Sequence, residues 1–584
     1  MSDFVFRLLD VDLTNRKPEI KIIDSEKVEK FIGGTGLAAW LLWKEGPKDA
    51  DPLAPEAHLL FMTGPLTGTA AASSGRHGIA GRSPLNGLWG EANVGGTWGT
   101  TLRKTGMDGV RVFGKSEEPI YLWISEEGVE FRKALHVWGK DTFETNEAIL
   151  EETHPNAVVT CIGPAGERCV GIAAIMTDGH HARAAGRGGL GAVMGSKNLK
   201  AIAVHGEKPI YIAKRQELFR DIKEMAQSYR ESAARLTQGG TPGLVVPQEQ
   251  LGSYPVKNYA QDHWPEGAQK TSWAAMEKSL FVKNYRCSGC MIGCGRTVKM
   301  GERGVTGGPE YETLALFGGN ILVDDINSIQ KMNEACNRLG IDTMEAGSLA
   351  AFAMEAFEKG LLPAGICQGF EPKWGDAEGV LELISQMGEN RGLGGFLARG
   401  YLNILKELPP EAGDFAMHVK GLGLPAHDPR AYNSVGLSYA TSNRGACHLQ
   451  GFTHAFERNL TEPTLGIDEI GDRFGTDKGK VVADLQDYMA LFDSLSTCKL
   501  SMFGGVKIPH LAKWFAMVTG IEMDEQGILL AGERVYDMKR LLNVRWGVTP
   551  AMDTLPKRML FQARKEGPSK NNLPPLDKML AQYY

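Results

Sequence analysis

The sequence predicts an α+β protein, with strands first and helices afterwards. Three observations carry this. The first ~205 residues break into short apolar runs of strand length separated by Gly, Pro and Asn. From about residue 211 onward, apolar residues recur at helical spacing. The chain also holds 72 glycines in 584 residues, which suits tight turns and close backbone approach to a large ligand.

The strand candidates come in order. They are VFRLLDVDL, AHLLFMTGPL, GVRVFG, PIYLWIS, GVEFRKAL, AVVTCIG and LKAIAVHG. Between the first two, GGTGLAAWLLW (33–43) reads as a glycine turn opening a helix. It does not match a dinucleotide fingerprint. Residues 211–235 form an amphipathic helical stretch, and 236–257 read as a Gly/Pro-rich loop. Ile326, Ile329, Met332, Ala335 and Leu339 then mark one helical face, with Asp325 as cap and Gly340 as stop. A second helix is expected from Thr343 to Lys359, ending at Gly360, and a third through KGKVVADLQDYMALF up to Asp493. No internal repeat or low-complexity segment is visible.

Bulk composition excludes several function classes. Net charge is −6, so there is no basic footprint for nucleic acid. No run approaches ~18 apolar residues, so no membrane span is expected. The start, MSDFVFRLLDVDL, lacks the basic and apolar regions of a secretory signal, which points to the cytoplasm. Nine cysteines, an odd number in a chain this long, do not form a disulfide framework. Cys161, Cys169, Cys336, Cys367 and Cys447 are scattered and read as small buried residues.

The exception is YRCSGCMIGCGR (285–296), which sets Cys287, Cys290 and Cys294 in a C-x2-C-x3-C array. Zinc sites usually take their ligands in separated pairs. Three thiols on one glycine-rich loop suit a [4Fe–4S] cubane, with a fourth thiolate from far along the chain. Cys498, in FDSLSTCKL after a helix, is the leading candidate, and Cys447 in SNRGACHLQ is its rival. Two further stretches, 73–99 and 178–204, string Arg76, Arg82 and Asn93, then Arg183, Arg187, Lys197 and Lys200, among glycines. Cations with free backbone N–H groups are how proteins hold phosphates. His180 and His181 are adjacent, and adjacent strand residues point oppositely, so they are not expected to share a metal. Glu310 and Glu312 in GPEYET, with His448 and His454, offer a carboxylate and imidazoles for acid–base work.

Together GPLTGT, the segment around Arg76 and Asn93, AGRGGLGAVMGSKNLKAIAV, C-x2-C-x3-C, GPEYET and ATSNRGACHL resemble, in order, the aldehyde ferredoxin oxidoreductase family of tungsten (sometimes molybdenum) enzymes. The resemblance implies an N-terminal two-sheet domain (1–208) forming a saddle for a bis-pterin metal cofactor. Two mainly helical domains then follow (209–417 and 418–584). It implies a [4Fe–4S] cluster on Cys287, Cys290, Cys294 and Cys498. It matches Arg76 to a phosphate contact and Asn93 to the Mg2+ bridging the pterin phosphates, with Gly95, Arg183, Ala184 and Arg187 in the same cofactor region. The family's two D-x-x-G-L-[DC] pterin turns become 337–342 (NRLGID) and 493–498 (DSLSTC), which assigns Asn337, Asp342, Asp493 and Thr497 to cofactor binding. Here Asn337 replaces an aspartate and Ser496 a glycine. Glu312 matches the family's active-site glutamate and His448 its histidine.

The implied activity is aldehyde oxidation to carboxylate, with electrons passing to ferredoxin or a ferredoxin-like iron–sulfur subunit. Aromatic acyl-CoA ring reduction and pterin-free electron transfer are the alternatives. Some family members form homodimers bridged by a metal on an E-x-x-H-like pair. QKMNEACN, before the first turn, offers no equivalent. A hetero-oligomer is therefore expected.

Overall fold

The computed structural model describes residues 4–300 and 304–584. The N-terminal part contains two six-stranded sheets. The first comprises Phe6–Asp12 (β1), Lys17–Ile23 (β2), Leu59–Thr63 (β3), His77–Arg82 (β4), Trp89–Val94 (β5) and Gly109–Phe113 (β6), in the order β2-β1-β6-β3-β4-β5. The second comprises Ile120–Ser125 (β7), Gly128–Lys133 (β8), Val158–Ile162 (β9), Ile175–Thr177 (β10), Arg183–Ala185 (β11) and Leu199–Val204 (β12), in the order β11-β10-β9-β12-β7-β8.

Alternation along the strands decides how the sheets pack. Leu9, Val11, Leu59, Phe61, Val110 and Val112 of the first sheet share one core with Ile120, Leu122, Ile124, Ile202 and Val204 of the second. These are every-second-residue sets, so one face of each sheet is spent on the other. On the opposite face of the first sheet, Leu8, Leu60 and Met62 meet the Gly34–Glu45 helix and two C-terminal helices, Gly479–Leu495 and Glu525–Arg545. A separate core joins the Tyr311–Phe317, Ile326–Leu339, Thr343–Glu358 and Ala377–Glu389 helices.

All seven strand readings and the three long helices are present. Asp325 caps the Ile326–Leu339 helix by accepting from the Asn327 and Ser328 N–H groups, and Gly340 ends it at φ 71°. Two glycine-rich stretches hold more regular structure than their composition suggests. Residues 73–99 contain β4 and β5, and 178–204 contain β10's partner β11 as well as β12. Glycine disfavours strands in isolation, but here pairing with neighbouring strands holds the backbone extended. The 236–257 loop likewise contains helical turns at Thr241–Leu244 and Val245–Gln250. Among the described residues, no helix is long and apolar enough to cross a membrane.

Candidate active site

The Phe281–Tyr285 and Gly295–Lys299 strands pair antiparallel, so Cys287, Cys290 and Cys294 sit on the loop joining them. Gly289 and Gly293 take positive φ, which lets so short a loop turn back on itself. The loop is tied to the first sheet: the Ser288 N–H donates to the Gly96 carbonyl at 3.0 Å. Any side chain at Gly95 would meet the Cys287 sulfur at 2.8 Å, so glycine there is what lets the strand end approach the thiol.

Cys498 joins these three and Cys447 does not. The Arg76 Nη1 lies 3.9 Å from the Cys498 sulfur. Burial works against the Arg76 charge, but thiolates at Cys498, Cys287 and Cys294 outweigh it and raise its pKa. The Cys294 thiol is pushed far up by burial, then by Glu310 and the other three sulfurs. Cys447 instead takes hydrogen bonds from Arg444 Nη2 at 2.8 Å and the Leu449 N–H at 3.4 Å. The four thiols do not form a group with all ligand atoms within 4.8 Å of one another. All four thiols line one cavity, which offers the four-thiolate ligand set that a [4Fe–4S] cluster uses.

From the cysteines a polar chain runs inward. Arg76 donates to the Asn93 side-chain oxygen and carbonyl, and Asn93 Nδ2 donates to Asp493 Oδ1 at 2.9 Å. Lys499 Nζ holds the other Asp493 oxygen at 2.8 Å. On the far side, Arg187 donates to Glu345 Oε2 at 3.1 Å and to the Ala446 and Gly423 carbonyls. Its Nε lies 3.5 Å from Asp342 Oδ2, and both atoms are buried without a hydrogen-bond partner. Asp342 Oδ1 caps the following helix through the Met344 N–H at 2.9 Å. Arg183 pairs with Glu310 at 3.2 Å and lies over the Tyr285 ring, and exposed Ala184 faces the same space.

Arg76, Asn93, Asp493, Lys499, Arg187, Asp342, Arg183, Ala184 and the four cysteines line one cavity of about 1700 Å3, together with Asn337, Glu312 and His448. Ordinary small-molecule pockets run to roughly 1,000 Å3, so the space fits a bulky cofactor beside a cluster. The orphaned Asp342 oxygen and Arg187 nitrogen fit the donor–acceptor edge of a pterin. Four residues named from sequence lie elsewhere. Arg82 donates to the Gly87 carbonyl at 2.8 Å and the Ala50 carbonyl at 2.9 Å. The Thr497 hydroxyl donates into the fold, to the Ala72 carbonyl at 3.0 Å. Lys197 bonds the Pro55 carbonyl at 2.9 Å, and Lys200 pairs with buried Glu167. Those two lysines are structural rather than phosphate ligands. His180 and His181 also diverge, toward Glu147 and Tyr285 respectively.

Glu312 occupies the first turn of the Tyr311–Phe317 helix. Its Oε2 accepts from the Ala426 N–H at 2.7 Å, and Oε1 lies 3.4 Å from His448 Nδ1 and 3.5 Å from His427 Nε2. Burial pushes the carboxyl up to about 7, against the Ala426 hydrogen bond and the Arg187 charge. Burial also drives His448 far below its ordinary value and His427 to about 3, so both imidazoles stay neutral. His454 stacks on His427 at 4.1 Å. Sequence reasoning missed His427; GLPAHDPRAYN carries no spacing signal, and only the fold brings it to Glu312. The arrangement is a carboxyl poised to exchange a proton near neutrality, with a neutral N–H donor beside it.

Comparison with known proteins accounts for nearly the whole chain. Residues 8–206 match the family model for the aldehyde ferredoxin oxidoreductase N-terminal domain, and 217–584 match that for domains 2 and 3. The chain is 39% identical to the tungsten-containing aldehyde ferredoxin oxidoreductase of Pyrococcus furiosus, covering 99% of this chain and 95% of the relative. It is 38% identical, with the same coverage, to that of Thermococcus kodakarensis. It is similar in structure to the active-site complex BamBC of benzoyl coenzyme A reductase in complex with 1,5-dienoyl-CoA. There the TM-score is 0.85 at 25% identity, covering 100% of this chain and 94% of the other.

Proposed function

The chain belongs to the aldehyde ferredoxin oxidoreductase family, and from that premise we propose that it is a tungsten-pterin enzyme oxidising aldehydes to carboxylates. The observation that carries the reading is Glu312, with its pKa raised to about 7, held against His448 in the cavity that also takes the four cysteines. When bound, the metal–dithiolene centre supplies a two-electron acceptor for the aldehyde carbon.

The chain's own residues do the rest. Glu312 takes the proton from the attacking water, and its raised pKa makes it an effective base near neutral pH. Neutral His448 donates its N–H to the carbonyl oxygen, which favours charge developing there. Asn337, Asp342 and Asp493 would hold the pterin edges. Arg187 would join Asp342 at a pterin edge, and Arg76, Asn93, Gly95, Arg183 and Ala184 would hold the phosphates and their Mg2+, with Thr497 contributing through its turn. Cys287, Cys290, Cys294 and Cys498 would bind one [4Fe–4S] cluster, which releases electrons singly. The division at 1–208, 209–417 and 418–584 is proposed to separate pterin saddle, cluster loop and fourth-cysteine domain.

Aldehyde oxidation yields two electrons, and a cluster held by the four cysteines would supply one-electron transfer. A ferredoxin or a docked ferredoxin-like subunit in the cytoplasm is the proposed acceptor, in a hetero-oligomer. Similarity to a two-subunit complex supports that reading. The same similarity favours ring reduction of an aromatic acyl-CoA as the second reading. Assay of anaerobically purified enzyme with a viologen dye separates them. Turnover of acetaldehyde or benzaldehyde is expected; turnover of benzoyl-CoA alone would reverse the assignment.

A further inference from the structure

Beyond Glu312, the cavity wall that carries His427 and His454 continues to two guanidinium groups. Arg458 follows the short Thr453–Phe456 helix and lines the cavity. Its Nε is buried without a hydrogen-bond partner, and no carboxylate among the described residues lies in ion-pair contact with it. Its charge reaches His427, His454 and Tyr432, lowering the pKa of the two histidines after burial has already done so. Arg473 lines the same wall and lies 5.3 Å from the Tyr432 ring centroid. It bonds the Leu251 carbonyl at 3.1 Å but has no carboxylate partner among the described residues.

The acids beside this pair in sequence do not neutralise it: among the described residues neither Glu457 nor Asp472 forms an ion pair with either guanidinium, and Asp472 Oδ1 accepts from the Phe474 N–H at 3.0 Å. Glu457 is held by Lys478 at 2.6 Å and by Ser434 at 2.6 Å, and burial pushes its carboxyl up to about 7. Two partly buried guanidiniums without an anion are an incomplete arrangement, because each forgoes the charge-assisted hydrogen bonds that offset its desolvation. Both line the cavity that also holds Glu312. The Arg76 charge responds to the sulfurs and Asp493, whereas the Arg458 charge acts on His427 and His454.

We propose that Arg458 and Arg473 form an anion subsite, so that the preferred substrates are aldehydes whose far end carries a carboxylate, sulfonate or phosphate. This rests on the aldehyde-oxidising reading above. The subsite contributes to substrate binding and orientation, not to the chemical step. An anion clasped at Arg458 sets the carbonyl at the Glu312–His448 end and raises the fraction of productive encounters.

Two measurements on the anaerobically purified holoenzyme test this. The first compares kcat/KM for 4-oxobutanoate and for butanal, which share chain length but differ in charge. The wild type is expected to favour the anionic aldehyde by roughly tenfold to a hundredfold, the usual worth of a hydrogen-bonded charge. Arg458→Gln should reduce that ratio toward one through KM, Arg458→Lys should keep part of it, and Arg473→Gln should give a smaller loss. Equal ratios in wild type and Arg458→Gln would overturn the subsite. The second measures succinate binding by calorimetry, with iron content and the cluster's paramagnetic signal confirming that each variant folds. Succinate binding lost in Arg458→Gln, in an enzyme that oxidises neither aldehyde, would uphold the subsite while overturning the aldehyde reading. Succinate binding unaffected by both substitutions would overturn the subsite even if aldehydes are oxidised.

Discussion

The two turns 337–342 and 493–498 are built alike and end differently. Each follows a long helix, Ile326–Leu339 or Gly479–Leu495, and each stops it with a left-handed residue, Gly340 at φ 71° and Ser496 at φ 54°. Each then docks on a different sheet region. Ala174 N donates to the Gly340 carbonyl at 2.8 Å and Asp342 N to Ile172, after β9. Cys498 N donates to the Ser73 carbonyl at 3.1 Å, before β4. The last residue differs: Asp342 keeps an unbonded buried oxygen in the cavity, whereas Cys498 brings a sulfur to Arg76. The first residue differs too. Asp493 is held by Asn93 and Lys499, while no described residue bonds the Asn337 amide. One helix-end scaffold thus presents two different side-chain sets, Asn337 with Asp342 and Asp493 with Cys498, to the same cavity.

Four substitutions in the two turns, with Cys447→Ala as a control, break or sharpen that comparison, from the largest effect to the smallest. Cys498→Ala should remove or convert the cubane's paramagnetic signal and abolish turnover. Cys447→Ala should leave the signal intact, and an unchanged signal in Cys498→Ala would return the fourth-ligand role to Cys447. Asp493→Asn leaves Lys499 buried without its partner, and breaking such a pair costs about 3 kcal/mol. Denaturant unfolding should show that loss, together with reduced tungsten content. Ser496→Gly relieves a side chain in the left-handed region and should add about 1 kcal/mol by the same measurement. Asn337→Asp restores the charge of the other turn where no fold contact depends on it. It should change tungsten content by less than roughly threefold, the scale of under 1 kcal/mol. A larger loss there than at Asp493 would mean the two turns do not share a role.

Legibility in the sequence followed how local the causes are. The Ile326–Leu339 helix was readable because Asp325 and Gly340 act within one turn of its ends. The strands of the first sheet were readable where Leu, Val and Phe alternate, but β4 and β5 were hidden, since HGIAGR and WGEANV owe their extended form to pairing partners. The cysteine loop and Glu312 stood out by spacing and by resemblance. His427 did not, because 115 positions separate it from the carboxylate it faces at 3.5 Å. Lys197 and Lys200 looked like phosphate ligands by composition alone, and the fold spends them on Pro55 and Glu167.

The central claim is that Glu312 is the base of an aldehyde-oxidising site, and its protonation gives the most direct test. Only the ionised carboxylate can accept the proton, so kcat/KM should rise with pH through an apparent pKa near 7, where burial places this group. The measurement is the pH–rate profile of aldehyde oxidation with a viologen acceptor, in wild type and in Glu312→Gln matched for tungsten and iron. The account predicts a rising limb near pH 7 in wild type and no turnover in Glu312→Gln despite full cofactor content. Undiminished turnover with the same rising limb in Glu312→Gln would contradict it and move the base elsewhere in the cavity.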